Sequence, residues 1–358
     1  MGNIEKILEE RGVPSFMTGI GSKEDFVKRQ QEIRHLLLNE EYGVIPDAPE
    51  HMSVEIVSTD ERFCAGSVVL KKLNLHFEMG GESFSFPITS AIPKSEKKLP
   101  AFVSINFSSD VPDKYMPTEE ICDNGFAVFS FGYKDISSDD GNFKNGIAKN
   151  LVKSRRKNNA PSKISLWAWA AMRVMDYIVT LDEIDHGNVA VIGHSRLGKT
   201  ALWAGGCDTR FKYVISNESG CAGAAIERGK VGETYKRIAE VFPYWFCPSF
   251  IKKATGGESF SFDQSFLLAL SVPRTIIIGS AEEDLWADPA SEFLGAASLG
   301  SAYALFGKRG LVHNDEIPTP STLLKDGDAC YHIRTGTHYL SRKDWQAYMS
   351  IIRDKMDN

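Results

Sequence analysis

The chain has 358 residues, 42% hydrophobic and 25% charged, the balance of a folded globular protein rather than a disordered one. Lysine and arginine total 41 against 47 acidic residues, a net charge of −6, so no basic surplus points to nucleic acid. No apolar stretch approaches the length of a membrane span; the richest, Ile164–Val179, is broken by Arg173 and Asp176.

The first residues, MGNIEKILEERG, carry acids where a signal peptide needs an apolar core. Lys6 stands where a myristoylation signal has Ser or Thr. A cytoplasmic location is therefore expected, with secretion requiring that a signal has been removed. The basic run Lys153–Lys157 is short and reads as a solvated loop. Six cysteines without a CxxC pair fit free thiols better than a disulfide scaffold or a zinc site. Neither a metal nor a cofactor is expected.

Residues 24–40 place Phe26, Ile33, Leu36 and Leu37 at helical spacing among charges, and Gly43 and Pro46 follow where a helix stops. From Ser53 to about Pro93 the period changes to two, predicting antiparallel strands with a turn at Gly80-Gly81. After Pro100, short apolar runs (AFVSINF, FAVFSF, VAVIGH, YVISNE, TIIIGS) alternate with helical stretches such as Ser165–Thr180 and Thr200–Gly206. Continuous apolar strands separated by helices predict a mostly parallel sheet covered on both faces. The antiparallel start is expected to join that sheet, giving one domain with residues 1–50 as a helical extension packed on it.

The chemistry concentrates in Val189–Thr200 (VAVIGHSRLGKT), where a buried strand enters a Gly-x-Ser turn and a helix begins. That is the layout of a nucleophile elbow, which lifts a serine hydroxyl above the sheet edge. Gly193 leaves room for the turn, and the helix N-terminus offers N–H groups to a developing oxyanion. Leu197 holds the usual second-glycine position and Gly198 follows it, so an ordinary Gly/Ser turn stays open. The literal GxxxxGKT match to a phosphate loop has bulky x positions and no acidic strand end after it.

A serine nucleophile needs an acid and a histidine later in the chain. His338, in Thr335–Tyr339 just before a final helix at Lys343–Arg353, holds the usual place of that histidine. His332 reads as a structural strand residue, and the His194 side chain is expected to point away from Ser195. The acid comes either from the loop Ser280–Pro289, after strand Thr275–Gly279, or from Glu218, after strand Tyr213–Asn217. Both lie at strand carboxyl ends, where open parallel sheets bind ligands. Within the loop, Glu282, Glu283 and Asp288 read as solvent-facing or helix-capping, Asp288 preceding Pro289 in the N-cap manner.

The run Gly193–Lys199 (GHSRLGK) resembles the G-C/H-S-R-x-G-K elbow of the glucuronoyl esterases, carbohydrate esterase family 15, particularly the bacterial branch. Asn217–Gly220, Phe242–Phe246, Asp263-Gln264, Ser280–Pro289, and Gly336–His338 with Asp344-Trp345 are similar to the same family. The resemblance spans roughly residues 100–350. It implies a three-layer α/β/α-hydrolase sandwich whose Ser195 attacks an ester carbonyl and whose His338 moves the proton. Family members hold the acid at the position of Glu218 or at that of Asp284, and this chain has both. Arg196 would lend its guanidinium to the oxyanion, while Lys199, Gln264 and Trp286 would line the sugar pocket. Ser-Ser-Asp at 108–110 stands where relatives have Gly-Gly-Asn, and Ser265 where a histidine is common; both positions are expected on the substrate side. The implied substrate is an ester of (4-O-methyl-)glucuronic acid in hemicellulose or lignin-carbohydrate material, with acetylxylan or another acetylated carbohydrate as the alternative.

Overall fold

The computed structural model describes residues 2–155 and 157–357; Arg156 of the basic run lies outside the described residues. The predicted amphipathic helix runs from Lys23 to Glu40, its start fixed by Ser22, whose hydroxyl accepts the Asp25 N–H at 3.1 Å. It buries Phe26, Ile33 and Leu37.

An antiparallel meander follows, β1 (His51–Phe63), β2 (Val68–Met79) and β3 (Glu82–Pro93). The β2–β3 turn falls at Gly80-Gly81, both at positive φ, as the period change and the glycine pair predict. The remaining strands are β4 (Leu99–Asn106), β5 (Ala127–Gly132), β6 (Ile184–His194), β7 (Tyr213–Asn217), β8 (Thr275–Ala281), β9 (Thr322–Leu324) and β10 (Ala329–Arg334). Among the described residues these ten strands form one sheet in the order β1-β2-β3-β5-β4-β6-β7-β8-β10-β9. From β5 to β10 the neighbours run parallel, and the meander joins through an antiparallel β3–β5 pairing.

The central strands are buried on both faces, and their residues alternate between two cores. Val189 and Val191 of β6 pack with Trp167 and Leu202, from the helices Lys163–Ile178 and Arg196–Cys207. Ala190 and Ile192 pack on the other side with Trp345 and Tyr348, from the helix Arg342–Met356. This is the three-layer arrangement expected, and it places the ends of β6, β7, β8 and β10 side by side. The chemistry gathers at those ends, as in other parallel sheets. Among the described residues, no helix is long and apolar enough to cross a membrane.

Candidate active site

Ser195 sits between β6 and the helix Arg196–Cys207 with φ 60° and ψ −126°. A non-glycine residue in such a conformation costs on the order of 1–3 kcal/mol, so the surrounding structure must impose it. Here the Ser195 N–H is donated to Asn217 O at 2.8 Å, and Ser195 O accepts from Gly198 N at 2.8 Å. Gly193 is required by the turn, because a Cβ there would lie 2.0 Å from Leu197 O. Although Ser195 occupies the helix N-cap position, its hydroxyl makes no capping bond. The oxygen therefore remains available for chemistry, and the first helical N–H groups have no acceptor within the helix. Gly198, displaced by one from the usual elbow, packs within 3.0 Å of Ser216 Oγ and Ser219 Cβ if given a Cβ, so it serves close helix–strand approach.

His338 follows β10, and its Nδ1 lies 2.6 Å from Asp284 Oδ2 and 3.2 Å from Glu218 Oε2. The two candidate acids thus converge on one nitrogen, Asp284 from the loop after β8 and Glu218 from the end of β7. Asp284 accepts the Ala287 N–H at 3.2 Å through its other oxygen. Glu218, itself at φ 48°, is more heavily engaged. Its Oε1 accepts from Arg334 Nη2 at 2.7 Å and its Oε2 from the Tyr339 N–H at 2.8 Å. Arg334 also donates to Asp344 at 2.8 Å, to the carbonyls of Thr335 and Thr337 at 3.0 Å, and to that of Tyr339. One buried guanidinium thus folds the His338 loop around itself and neutralises the second acid.

These contacts set the protonation states. Burial raises Glu218 to about 7, against the pull of His338 and Arg334. Burial acts on Asp284 in the same sense and is the largest single influence, but the His338 hydrogen bond, the His338 charge and the Ala287 N–H together outweigh it and hold the carboxyl below its ordinary value. For His338, burial favours the neutral ring, and the bonds to Asp284 and Glu218 overcome it, raising the imidazole to about 9.

The His194 ring lies against that of His338, with centroids 4.4 Å apart, and is not part of the cleft lining. Nδ1 of His194 is 2.7 Å from Asn217 Oδ1, and Asn217 Nδ2 donates to Tyr348 OH at 2.8 Å. The amide oxygen is then the acceptor, so His194 carries its proton on Nδ1. Burial and the neighbouring His338 charge depress His194 to about 3, keeping it neutral. It forms a flat, uncharged wall against the His338 ring. His194, Glu218 and His338 also place ligand atoms within 4.8 Å of one another, but a cation there would have to displace Asn217, Arg334 and Asp284.

Ser195, Glu218, Asp284 and His338 line a cleft of about 330 Å³ together with Arg196, Lys199, Glu233, Phe242, Trp245 and Trp286. The Arg196 guanidinium lies 4.7 Å over the Trp245 ring and is bound by Asp139. Lys199 is buried and donates to Ser219 O; burial lowers its ammonium, with Glu233 opposing. Trp286 stands at the rim, 55% exposed.

Gln264 is a correction. It is fully buried and donates to Glu41 Oε1 at 2.9 Å and Tyr235 OH at 2.6 Å, outside the cleft lining. The physical reason is its place in the first turn of a short helix, Gln264–Ala269, whose residues are all buried. Ser265 on the same helix is likewise buried and faces a different cavity, beside Leu8 and Phe16. The remaining residues fall as read: Glu282 and Glu283 are exposed, and Asp288 caps its helix through Ser291 N at 3.2 Å. His332 lies buried in β10 beside Asp344.

Sequence reasoning missed Asp139, Glu233 and Arg334. Asp139 and Glu233 sit in polar runs that look like ordinary loops, and nothing in the local pattern marks them. Arg334 carries a signal, an arginine ending a mostly apolar strand just before the His338 loop.

A family model of fungal glucuronyl esterases matches residues 75–307. A carbohydrate esterase from an unknown prokaryotic organism is 33% identical over 373 residues, covering 92% of this chain and 84% of its own length. A 4-O-methyl-glucuronoyl methylesterase of Podospora anserina is 25% identical over 271 residues, a match covering 72% of this chain and 52% of that longer protein. Among solved structures, a glucuronoyl esterase from Solibacter usitatus superimposes with a TM-score of 0.88 at 29% identity, covering 95% of this chain and 97% of the other. A promiscuous esterase of carbohydrate esterase family 15 from a marine bacterial metagenome gives 0.83 at 32% identity, covering 93% of each.

Proposed function

The chain belongs to the glucuronoyl esterase family, whose members are carboxylic ester hydrolases, and from that premise we propose that it cleaves esters of (4-O-methyl-)glucuronic acid through an acyl-enzyme on Ser195. The observation that carries this reading is the convergence of the Ser195 hydroxyl, free of any capping bond, His338 with its acids, and Arg196 on one cleft.

In this account neutral His338 takes the Ser195 proton as the oxygen attacks the ester carbonyl. Asp284 and Glu218 stabilise the imidazolium that results. The carbonyl oxygen, now anionic, meets the helix N-terminal N–H groups and the Arg196 guanidinium. His338 returns the proton to the leaving alcohol, and water then repeats the sequence in reverse on the acyl-enzyme.

Lys199 and Trp286 would hold the uronate, an ammonium for its hydroxyls and an indole face for its ring. Gln264 drops out of the sugar-binding set, since it never reaches the cleft. Two cations beside the nucleophile suit a polar uronate acyl group; an acetyl group offers them almost nothing to bind, and the acetyl-ester reading is not favoured. Comparing hydrolysis of methyl or benzyl glucuronate with that of acetylated xylan tests the assignment. A higher kcat/KM for the glucuronate esters is expected, and equal or reversed preference would overturn it.

A further inference from the structure

One carboxylate outside the cleft grips two of the side chains that line it. Asp139 lies in the loop after the short helix Tyr133–Ile136, with only 9% of its side chain exposed. Its Oδ2 accepts from Arg196 Nη1 and from Tyr133 OH at 3.0 Å, and its Oδ1 from Trp245 Nε1 at 2.7 Å. Arg196 and Trp245 both line the cleft. The Trp245 ring stacks on Phe242 at 3.9 Å and 3°, so the wall behind the guanidinium is itself fixed.

The loop that carries Asp139 is held as firmly as its side chain. Lys163, buried in the first turn of the helix Lys163–Ile178, donates to Ser137 Oγ at 2.5 Å and to Asn142 O at 2.6 Å. Trp167 Nε1 donates to Ser137 O at 3.2 Å. Phe143 is covered by the Lys163 ammonium at 4.5 Å and the Arg155 guanidinium at 4.4 Å. These anchors fix the residues on both sides of Asp139.

We propose that Asp139 is the positioning residue of the oxyanion site, fixing the Arg196 guanidinium against Trp245 where it meets the carbonyl oxygen. The proposal rests on the reading of Arg196 as an oxyanion cation. An arginine carries large rotamer freedom, and an unheld one would have to be ordered during each turnover. A preorganised charge avoids that reorganisation and acts mainly on the transition state. The opposing effect is electrostatic, because a bound carboxylate partly neutralises the guanidinium. The two effects predict opposite signs for removal of the Asp139 charge: lost positioning lowers kcat, whereas relief of neutralisation raises it.

The test is steady-state kinetics on benzyl glucuronate for Asp139→Asn, Asp139→Glu, Arg196→Gln and Asp139→Asn with Arg196→Gln, each with its thermal midpoint. Arg196→Gln should lower kcat about 100-fold, the loss typical of an oxyanion donor. Asp139→Asn should lower kcat about 10-fold with KM within about 2-fold, since misplacement weakens the transition-state contact alone. The double variant should be no slower than Arg196→Gln by itself, because the two residues act as one unit. Asp139→Glu, which keeps the charge and shifts its position, should also lower kcat, and it serves if Asp139→Asn unfolds. Unchanged or raised kcat in both Asp139 variants overturns the proposal, as does a multiplicative loss in the double variant. Full activity in Arg196→Gln overturns instead the reading of Arg196 on which it rests.

Discussion

Asp284 and Glu218 share a single nitrogen of His338, at 2.6 Å and 3.2 Å. Their reach is unequal because their other partners are unequal. Asp284 spends one oxygen on the backbone N–H of Ala287, whereas Glu218 is bound by Arg334 and Tyr339. On the proposed mechanism Asp284 would be the principal partner and Glu218 a buttress. Asp284→Asn should cost more in kcat than Glu218→Gln, yet less than the roughly 10⁴-fold loss of a sole triad acid. The double variant should cost more than the sum of the singles in ΔΔG‡, a coupling that a double-mutant cycle reads. Complete loss with one single variant and none with the other would show that only one acid works.

The same contacts set the pH dependence. His338 must be neutral to accept the Ser195 proton, and two carboxylates raise it to about 9. Activity should therefore rise with pH as the imidazolium loses its proton. Glu218→Gln removes one of the charges that favour the imidazolium, so the imidazole pKa falls. The acid limb of kcat/KM then moves to lower pH, and the profile on benzyl glucuronate measures the shift. A limb that stays in place, or moves upward, would contradict the assigned role of Glu218.

Trp286 protrudes at the rim, 55% exposed, so its ring lies largely outside the core. Trp286→Ala should leave the thermal midpoint unchanged and raise KM about 2- to 10-fold, the range of a lost stacking contact. Unchanged KM would remove Trp286 from the substrate site.

Arg334 faces two buried carboxylates, Glu218 and Asp344. Arg334→Gln takes the guanidinium from both, and breaking a buried pair in this way typically costs about 3–5 kcal/mol. The unfolding midpoint should fall by several degrees and kcat should fall with it, because the carbonyls of the His338 loop lose their donor. A variant with native stability would show that the loop holds itself.

Much of this was legible before any coordinates. The period-two segment became β1–β3, and the apolar runs became the parallel strands, because burial on one or two faces writes itself into local pattern. The meeting of Ser195, His338 and the two acids in one cleft is foreseeable because elbow, strand ends and chain order are local features too. Gln264 was misplaced because helix orientation is set by tertiary packing, which no six-residue helix encodes. The ring that His194 packs against is not legible for a related reason. Alternation along β6 fixes its face of the sheet, but which neighbour it meets depends on where β10 delivers His338, more than a hundred residues later. Asp139 is the extreme case: its partners come from three separate segments, and its own loop has no periodicity at all.

The central claim is that Ser195, held at φ 60° with its hydroxyl free of any capping bond, is the nucleophile. Ser195→Ala tests it most directly, since alanine removes only the oxygen, and the backbone bonds of the turn remain. Turnover of benzyl glucuronate should fall by several orders of magnitude, as for other triad nucleophiles, with circular dichroism and thermal midpoint essentially those of the parent chain. Near-native turnover by a folded Ser195→Ala variant would contradict the account.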